Sequence, residues 1–357
     1  MLIHLAPLHG VTNKTFRGAF FRHFGGFDSA LAPFILACRV KQAKPNHFKD
    51  LLPGANREAG AANYDIAAVN SGAAAANSDA IAVARVPLIP QILGNDPIAF
   101  AETARVLLDL GYREINLNLG CPYPMVANKG RGSGLLPYPD RVAALLDAAL
   151  ALPGIALSVK MRLGRSEPSD IDRLMPILND RPLSRVIIHP RVGTQMYRGE
   201  CDLAGFARAS ERCAHPVVYN GDIRDLAAFK AVNVRFPEIH EWMIGRWAVS
   251  NPFIAEEIRA SINSANGAGA NPGANGAGIN LADQTSRLTA FHDDVYASYR
   301  EILCGYAHVL DKMKELWTYL GASFPARKRE LAALSRAKTP QEYEQAVAAI
   351  LGQPRAR

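Results

Sequence analysis

Eight short runs of aliphatic and β-branched residues recur along roughly the first 250 positions. They are LIHLA (2–6), SALAPF (29–34), PLIPQIL (87–93), EINLNLG (114–120), IALSVKMR (155–162), RVIIHP (185–190), PVVYNG (216–221) and HEWMIGR (240–246). Between most of them lie stretches whose apolar residues fall at helical spacing, such as DPIAFAETARVLLDLG (96–111), PDRVAALLDAALAL (139–152) and DLAAFKAVNVRF (225–236). Strands alternating with crossover helices predict parallel pairing, and eight of them fit a closed α/β TIM barrel, (β/α)8, better than an open sheet. From 283 to 351 the apolar spacing is helical throughout, which predicts a small C-terminal helical domain. Two segments, 54–86 and 263–282, are rich in Ala, Gly and Asn and poor in large apolar residues. Such composition does not offset the entropy of ordering, so both are expected to be flexible. The expected organisation is a barrel over 1–260 with 54–86 as an insertion, a linker over 261–282, and a helical domain over 283–357.

Composition adds constraints to this pattern. Of 357 residues, 49% are hydrophobic and 20% charged, enough apolar chain to bury a large core. Five scattered cysteines with no CxxC pair give neither a disulfide framework nor zinc-ligand spacing, so no metal site is assigned. No apolar run reaches the ~18 residues a membrane span needs. The opening MLIHLAPLHGV is too short and too interrupted for a secretory signal, so the expected compartment is the cytoplasm. No obligate protein partner is evident. Charge is uneven. Residues 1–53 hold seven Lys/Arg against two acidic residues, and 321–339 hold five against one. Solvated faces explain many such clusters, but two of them also fit a polyanionic partner.

The chemically capable residues gather at one end of nearly every expected strand. Strand one finishes in Pro7-Leu8-His9-Gly10, and strand three carries Gln91. Strand four gives Asn116, Asn118 and Gly120-Cys121-Pro122; strands five and six end in Lys160 and Arg162, and in His189 and Arg191. Asn220-Gly221-Asp222 and Gly245-Arg246 follow the last two. Barrel enzymes place their sites at this carboxyl face. Gly221 and Gly245 would let backbone amides approach a phosphate, since the last two loops are the usual phosphate site of barrels. Lys160 supplies charge at the barrel mouth, suited either to a reduced flavin or to Schiff-base or general-base chemistry.

Several of these blocks resemble the tRNA-dihydrouridine synthase family. APLHGVTNKTFR resembles its APM-x-G-V-T-D-x-x-FR, and NLNLGCPYPMVANKGRGSGLL (116–136) its N-x-GCP block. VKMRLG (159–164), HPRVGTQMYRG (189–199), NGDI (220–223) and IGRWAVSNPFI (244–254) follow in order. The resemblance implies FMN bound by Pro7, Leu8, His9, Gln91, Lys160, His189, Asn220, Gly221, Asp222, Gly245 and Arg246. It makes Cys121 the proton donor and sets Asn118 in the pocket over the flavin. Arg162 and Arg191, with Arg327, Lys328 and Arg329 of the tail, are assigned to the substrate.

The activity so implied is reduction of the C5–C6 double bond of uridine in tRNA, with NADPH as electron donor. A thiol of ordinary pKa ~8.5 is mostly protonated at neutral pH and suits an acid. A base inside folded tRNA must be extruded to reach a barrel mouth, and phosphate contacts from the basic clusters would help to drive that. The alternatives are an FMN-dependent dehydrogenase of a free pyrimidine, or a tRNA-binding homologue without catalysis. The first would not need the basic tail, and the second would not need Cys121 and Lys160.

Overall fold

The computed structural model describes residues 1–43, 45–52, 86–265 and 281–352. Residues 54–85 and 266–280, where flexible segments are expected, lie outside the described residues. Ten strands form one parallel sheet: β1 (Leu2–Leu5), β2 (Ser29–Leu31), β3 (Ile35–Leu36), β4 (Leu88–Ile89), β5 (Gln91–Leu93), β6 (Glu114–Leu119), β7 (Ala156–Gly164), β8 (Arg185–Val192), β9 (Val217–Tyr219) and β10 (Glu241–Ile244). Its order is β3-β5-β6-β7-β8-β9-β10-β1-β2-β4. The ring closes because β2 pairs with β4 while β3 pairs with β5. Each of these couples is one barrel strand in two pieces. The breaks fall at Pro33 and Pro90, where proline has no N–H for the ladder. All eight expected strands are therefore present, two of them interrupted, in a (β/α)8 barrel. Another irregularity lies between β7 and β8, whose register shifts between Arg162 and Gly164 opposite Pro190.

The chain divides into two compact units. One comprises Met1–Pro7, Asp28–Asp222 and Ala231–Ile244, and holds every described strand. Its inward-facing side chains lie in layers. At the amino end of the strands, His4 meets Ser29 at 2.8 Å and Glu241 at 3.1 Å. Arg185 joins Glu241 at 2.7 Å and Glu114 at 3.2 Å, so these charges are paired rather than simply buried. Above them Ala6, Leu31, Ile89, Ile187, Val218 and Met243 form an apolar layer. The next inward positions belong to the candidate site.

The other unit takes Leu8–Phe27, Ile223–Lys230 and the chain from Gly245 onward. Helix Lys14–His23 starts at Asn13, whose side chain accepts from the Phe16 N–H. Its apolar face, Phe16, Phe20 and the following Phe24, meets Phe291 of helix Leu281–Ile302 with ring centroids 5.2–6.0 Å apart. Arg22 grips Asp294 through two hydrogen bonds of 2.8 and 2.9 Å. Helices Ile254–Ala265, Tyr306–Leu320, Lys328–Arg336 and Pro340–Leu351 complete this unit's long elements. Helix Ile254–Ala265 and the start of Leu281–Ile302 carry helical structure into both ends of the 261–282 linker, because Ile254 and Ile258 are fully buried along one face. The run RKRELAALSR, within the stretch expected to be helical, forms helix Lys328–Arg336 with Leu334 buried. No helix among the described residues is long and apolar enough to cross a membrane.

Ile187 is fully buried in the apolar layer of the barrel. Ile187→Ala should lower stability in denaturant unfolding by about 2–5 kcal/mol, from lost transfer energy plus a cavity. A loss below ~1 kcal/mol would mean that this layer is not packed as described.

Candidate active site

At the carboxyl end of β6 one side chain shapes the loop. The Asn118 carbonyl oxygen accepts from the Gly120 N–H at 3.0 Å and the Cys121 N–H at 2.9 Å. Its amide nitrogen donates to Gln91 at 2.7 Å; Gln91 donates to Asn116 at 2.7 Å, and Asn116 to Ser158 at 2.9 Å. This buried relay across β5, β6 and β7 fixes where Cys121 begins. Behind the cysteine sits Gly132, at φ +55°, where a Cβ would lie 2.8 Å from the Cys121 carbonyl oxygen and 2.9 Å from its Cβ. Only glycine fits there, which explains part of the glycine-rich run after Cys121.

Cys121 is buried, at 8% exposure. Burial pushes its thiol pKa up, against the opposing pull of the Tyr123 N–H and the charges of Arg162 and Lys160. The group is therefore a thiol at neutral pH. Lys160, on β7, makes no hydrogen bond to any described residue. Burial, followed by repulsion from Arg162, brings its pKa down to about 7. An unpartnered ammonium in this position favours any anionic group placed beside it.

Arg162 is almost fully buried. It donates to the carbonyls of Gly120 (3.0 Å), Val192 (2.9 Å) and Met196 (2.6 Å), and so ties the Cys121 loop to the loop after β8. Met196 is the one non-glycine residue at positive φ (55°) among those described, a conformation held by that arginine bond. The Arg162 guanidinium also lies 5.2 Å over the Tyr197 ring. Arg191 donates to Asp222 at 2.5 and 3.2 Å and to the Gly199 carbonyl at 2.7 Å. His189 donates from Nδ1 to the Asn220 carbonyl at 2.5 Å, and the Asn220 side chain donates to the Met243 carbonyl at 2.8 Å.

The sequence-selected residues of the barrel unit thus converge: Gln91, Asn118, Cys121, Lys160, Arg162, His189, Arg191, Asn220 and Asp222 are linked by direct bonds or close charges. Pro7 follows β1 in the same unit. Gly221 has an internal reason to be glycine, since a Cβ would meet the Tyr219 hydroxyl at 2.0 Å. Leu8, His9, Gly245, Arg246, Arg327, Lys328 and Arg329 belong to the second unit. There the Leu8 N–H donates to Thr12 at 2.8 Å, and Gly245 opens the short helix Arg246–Ser250. Arg327, Lys328 and Arg329 are exposed where helix Lys328–Arg336 begins, Arg327 lying 3.9 Å from Glu330. Sequence reasoning missed Tyr197, an aromatic in the HPRVGTQMYRG block 6.2 Å from the His189 ring, and the bracing roles of Asn116 and Ser158.

A thiol, a lone ammonium and an imidazole gathered at the carboxyl ends of parallel barrel strands is the layout of a (β/α)8 enzyme. The chain belongs to the dihydrouridine synthase family, whose model matches residues 4–342. Over 170 residues it is 31% identical to the tRNA-dihydrouridine synthase B of Escherichia coli strain K12, an overlap of 47% of this chain and 53% of that protein. The tRNA-dihydrouridine synthase B of Yersinia pestis is 32% identical over 170 residues, with the same coverage. The chain spans about half the length of the curated relatives it matches. Among solved structures, 2-naphthoyl-CoA reductase with 2-naphthoyl-CoA overlays 72% of this chain and 50% of its own, at TM-score 0.50 and 9% identity, a likeness of fold alone.

Lys160 sets a pH signature. Its folded pKa, about 7, lies below the ordinary 10.5, so the unfolded chain binds more protons between those values. Its cost to stability is therefore full below pH 7 and fades as pH rises toward 10.5. Lys160→Met should raise the stability of the ligand-free protein by about 1–4 kcal/mol near pH 6, with the gain vanishing at alkaline pH. Equal stability of the two proteins at pH 6 would contradict the unpartnered ammonium.

Proposed function

We propose that this protein is a tRNA-dihydrouridine synthase that reduces the C5–C6 double bond of uridines in tRNA, using FMN in the barrel mouth and NADPH as reductant. The observation that carries this reading is a buried thiol, Cys121, kept protonated beside an unpartnered ammonium, Lys160. The residues fit a flavin, because a half-buried lysine without a counter-ion suits the negative charge a reduced isoalloxazine carries. From the barrel unit Pro7, Gln91, Lys160, His189, Asn220, Gly221 and Asp222 would hold it. Gln91 would do so only with the amide hydrogen left after its bonds to Asn116 and Asn118.

When bound, FMN supplies the hydride that uracil receives at C6. Cys121 then gives its proton to C5 and is left as a thiolate. That thiolate meets the Tyr123 N–H and the charges of Arg162 and Lys160, the same groups that pull its pKa down. Asn118 keeps the Gly120-Cys121 turn in place, so the thiol reaches the ring without a flexible stem. Solvent returns the proton after product leaves. A base taken from folded tRNA costs a few kcal/mol to extrude. Arg327, Lys328 and Arg329 would offset part of this through phosphate contacts. Three basic residues at a helix amino end oppose the helix dipole, so they are not there to stabilise the helix.

The first test is direct. Purified protein should be yellow, oxidise NADPH and form dihydrouridine on tRNA from a strain lacking the gene, and mapping in that strain should show which uridines lose the modification. Cys121→Ala should keep flavin and NADPH oxidation while uridine reduction falls by about 10²–10⁴-fold. Single-turnover reduction at the wild-type rate would remove Cys121 as the acid.

Changing Arg327, Lys328 and Arg329 together to Gln leaves the packing of Leu334 intact. It should weaken tRNA binding and flatten its salt dependence by roughly 0.7–0.9 of a log unit per lost contact. Unchanged affinity and slope would make the cluster a solvated face.

A further inference from the structure

His189 sits at the end of β8, with 8% exposure, among cations from two strands. Its two ring nitrogens face different partners. Nδ1 lies 2.5 Å from the Asn220 carbonyl oxygen, which can only accept, so Nδ1 carries a proton. Asn220 is not free to drift, because its side chain is pinned to the Met243 carbonyl across the next strand. Nε2 lies 3.4 Å from Arg191 Nη1, which can only donate, so the same tautomer satisfies both neighbours. At that length the arginine contact is weak and does not use up the nitrogen's lone pair.

Arg191 is itself fixed. Its guanidinium is 1% exposed and is held by Asp222 at 2.5 and 3.2 Å and by the Gly199 carbonyl at 2.7 Å. Arg162 and Lys160 of β7 also face the imidazole, and the Tyr197 ring stands edge-on to it with centroids 6.2 Å apart. A second proton on the ring would join these cations in a place with little water. Burial, then the charges of Arg162 and Lys160, hold the His189 pKa well below that of an ordinary histidine, and Arg191 adds to the effect.

We infer that His189 is a hydrogen-bond acceptor in this site, a neutral imidazole protonated at Nδ1, with Arg191 anchored on Asp222 as the positioning residue that keeps Nε2 unprotonated. It follows that His189 meets an N–H or O–H donor of the bound molecule and not an anionic oxygen. Anionic character is left to the charges of Lys160 and Arg162, since Arg191 is paired with Asp222 while Arg162 meets only neutral backbone carbonyls. This changes the part expected of Arg191, from touching substrate to acting through His189. The inference concerns the ligand-free protein, so it holds or fails separately from the flavin reading.

The test is long-range 1H–15N NMR of the histidine rings in ligand-free protein, with His189→Gln identifying the His189 signal. The expected result is a ring protonated at Nδ1 and bare at Nε2, with no titration between about pH 5 and 8, where an ordinary histidine charges. An Nε2–H tautomer, or an imidazolium appearing within that window, would overturn the assignment. Arg191→Gln removes a cation and should move the titration upward, whereas Arg191→Lys keeps the charge and should leave the ring neutral as in the wild type. Identical behaviour of the two variants would remove Arg191 from the device. If neither variant folds, the wild-type spectrum alone decides the tautomer.

Discussion

Holding a half-buried lysine amine without a counter-ion is the constraint around which the barrel mouth is arranged. Lys160 has no anion beside it among the described residues, and repulsion from Arg162 adds to the cost of charging it. Arg162 is spent on three backbone carbonyls and Arg191 on Asp222 and Gly199. His189 is turned so that its proton points away, toward Asn220. The result is a strand-end cluster in which the Lys160 amine has no anion beside it among the described residues. Such a site is costly to the folded chain, and strain kept at a binding position is the common signature of function over stability.

Cys121 depends on the same arrangement from the other side. Burial favours the thiol, and the nearby charges favour the thiolate, so the group is poised to lose a proton only when something takes it. Its position comes from hydrogen bonds, not from packing alone. Asn118 holds the turn, Gly132 leaves room behind it, and Arg162 ties the loop to the Tyr197 segment. Shifting any of these would move the sulfur as well as change its charge.

Much of this was legible in the sequence. The alternation of strands and helices predicts the barrel, and polar residues at the carboxyl ends of strands mark the candidate site. Residue types alone did not separate groups that meet a ligand from groups that hold those groups. Arg162, Arg191 and Asn118 were assigned outward roles from position, whereas their donors and acceptors are largely engaged inside the protein. The two broken strands were hidden because Pro33 and Pro90 interrupt a ladder without disturbing the apolar run. The long-range Phe16–Phe291 contact, which joins the first helix to the tail, leaves no trace in local periodicity.

The protonation state of Cys121 is the central physical claim, and its alkylation rate against pH measures it most directly. Mass spectrometry of the peptide carrying Cys121 separates it from the other four cysteines. The predicted midpoint lies above the ~8.5 of a free cysteine, with slow reaction at neutral pH. A midpoint below about 7, with fast modification at neutral pH, would mean a thiolate in the resting protein and would contradict the role of acid proposed for it.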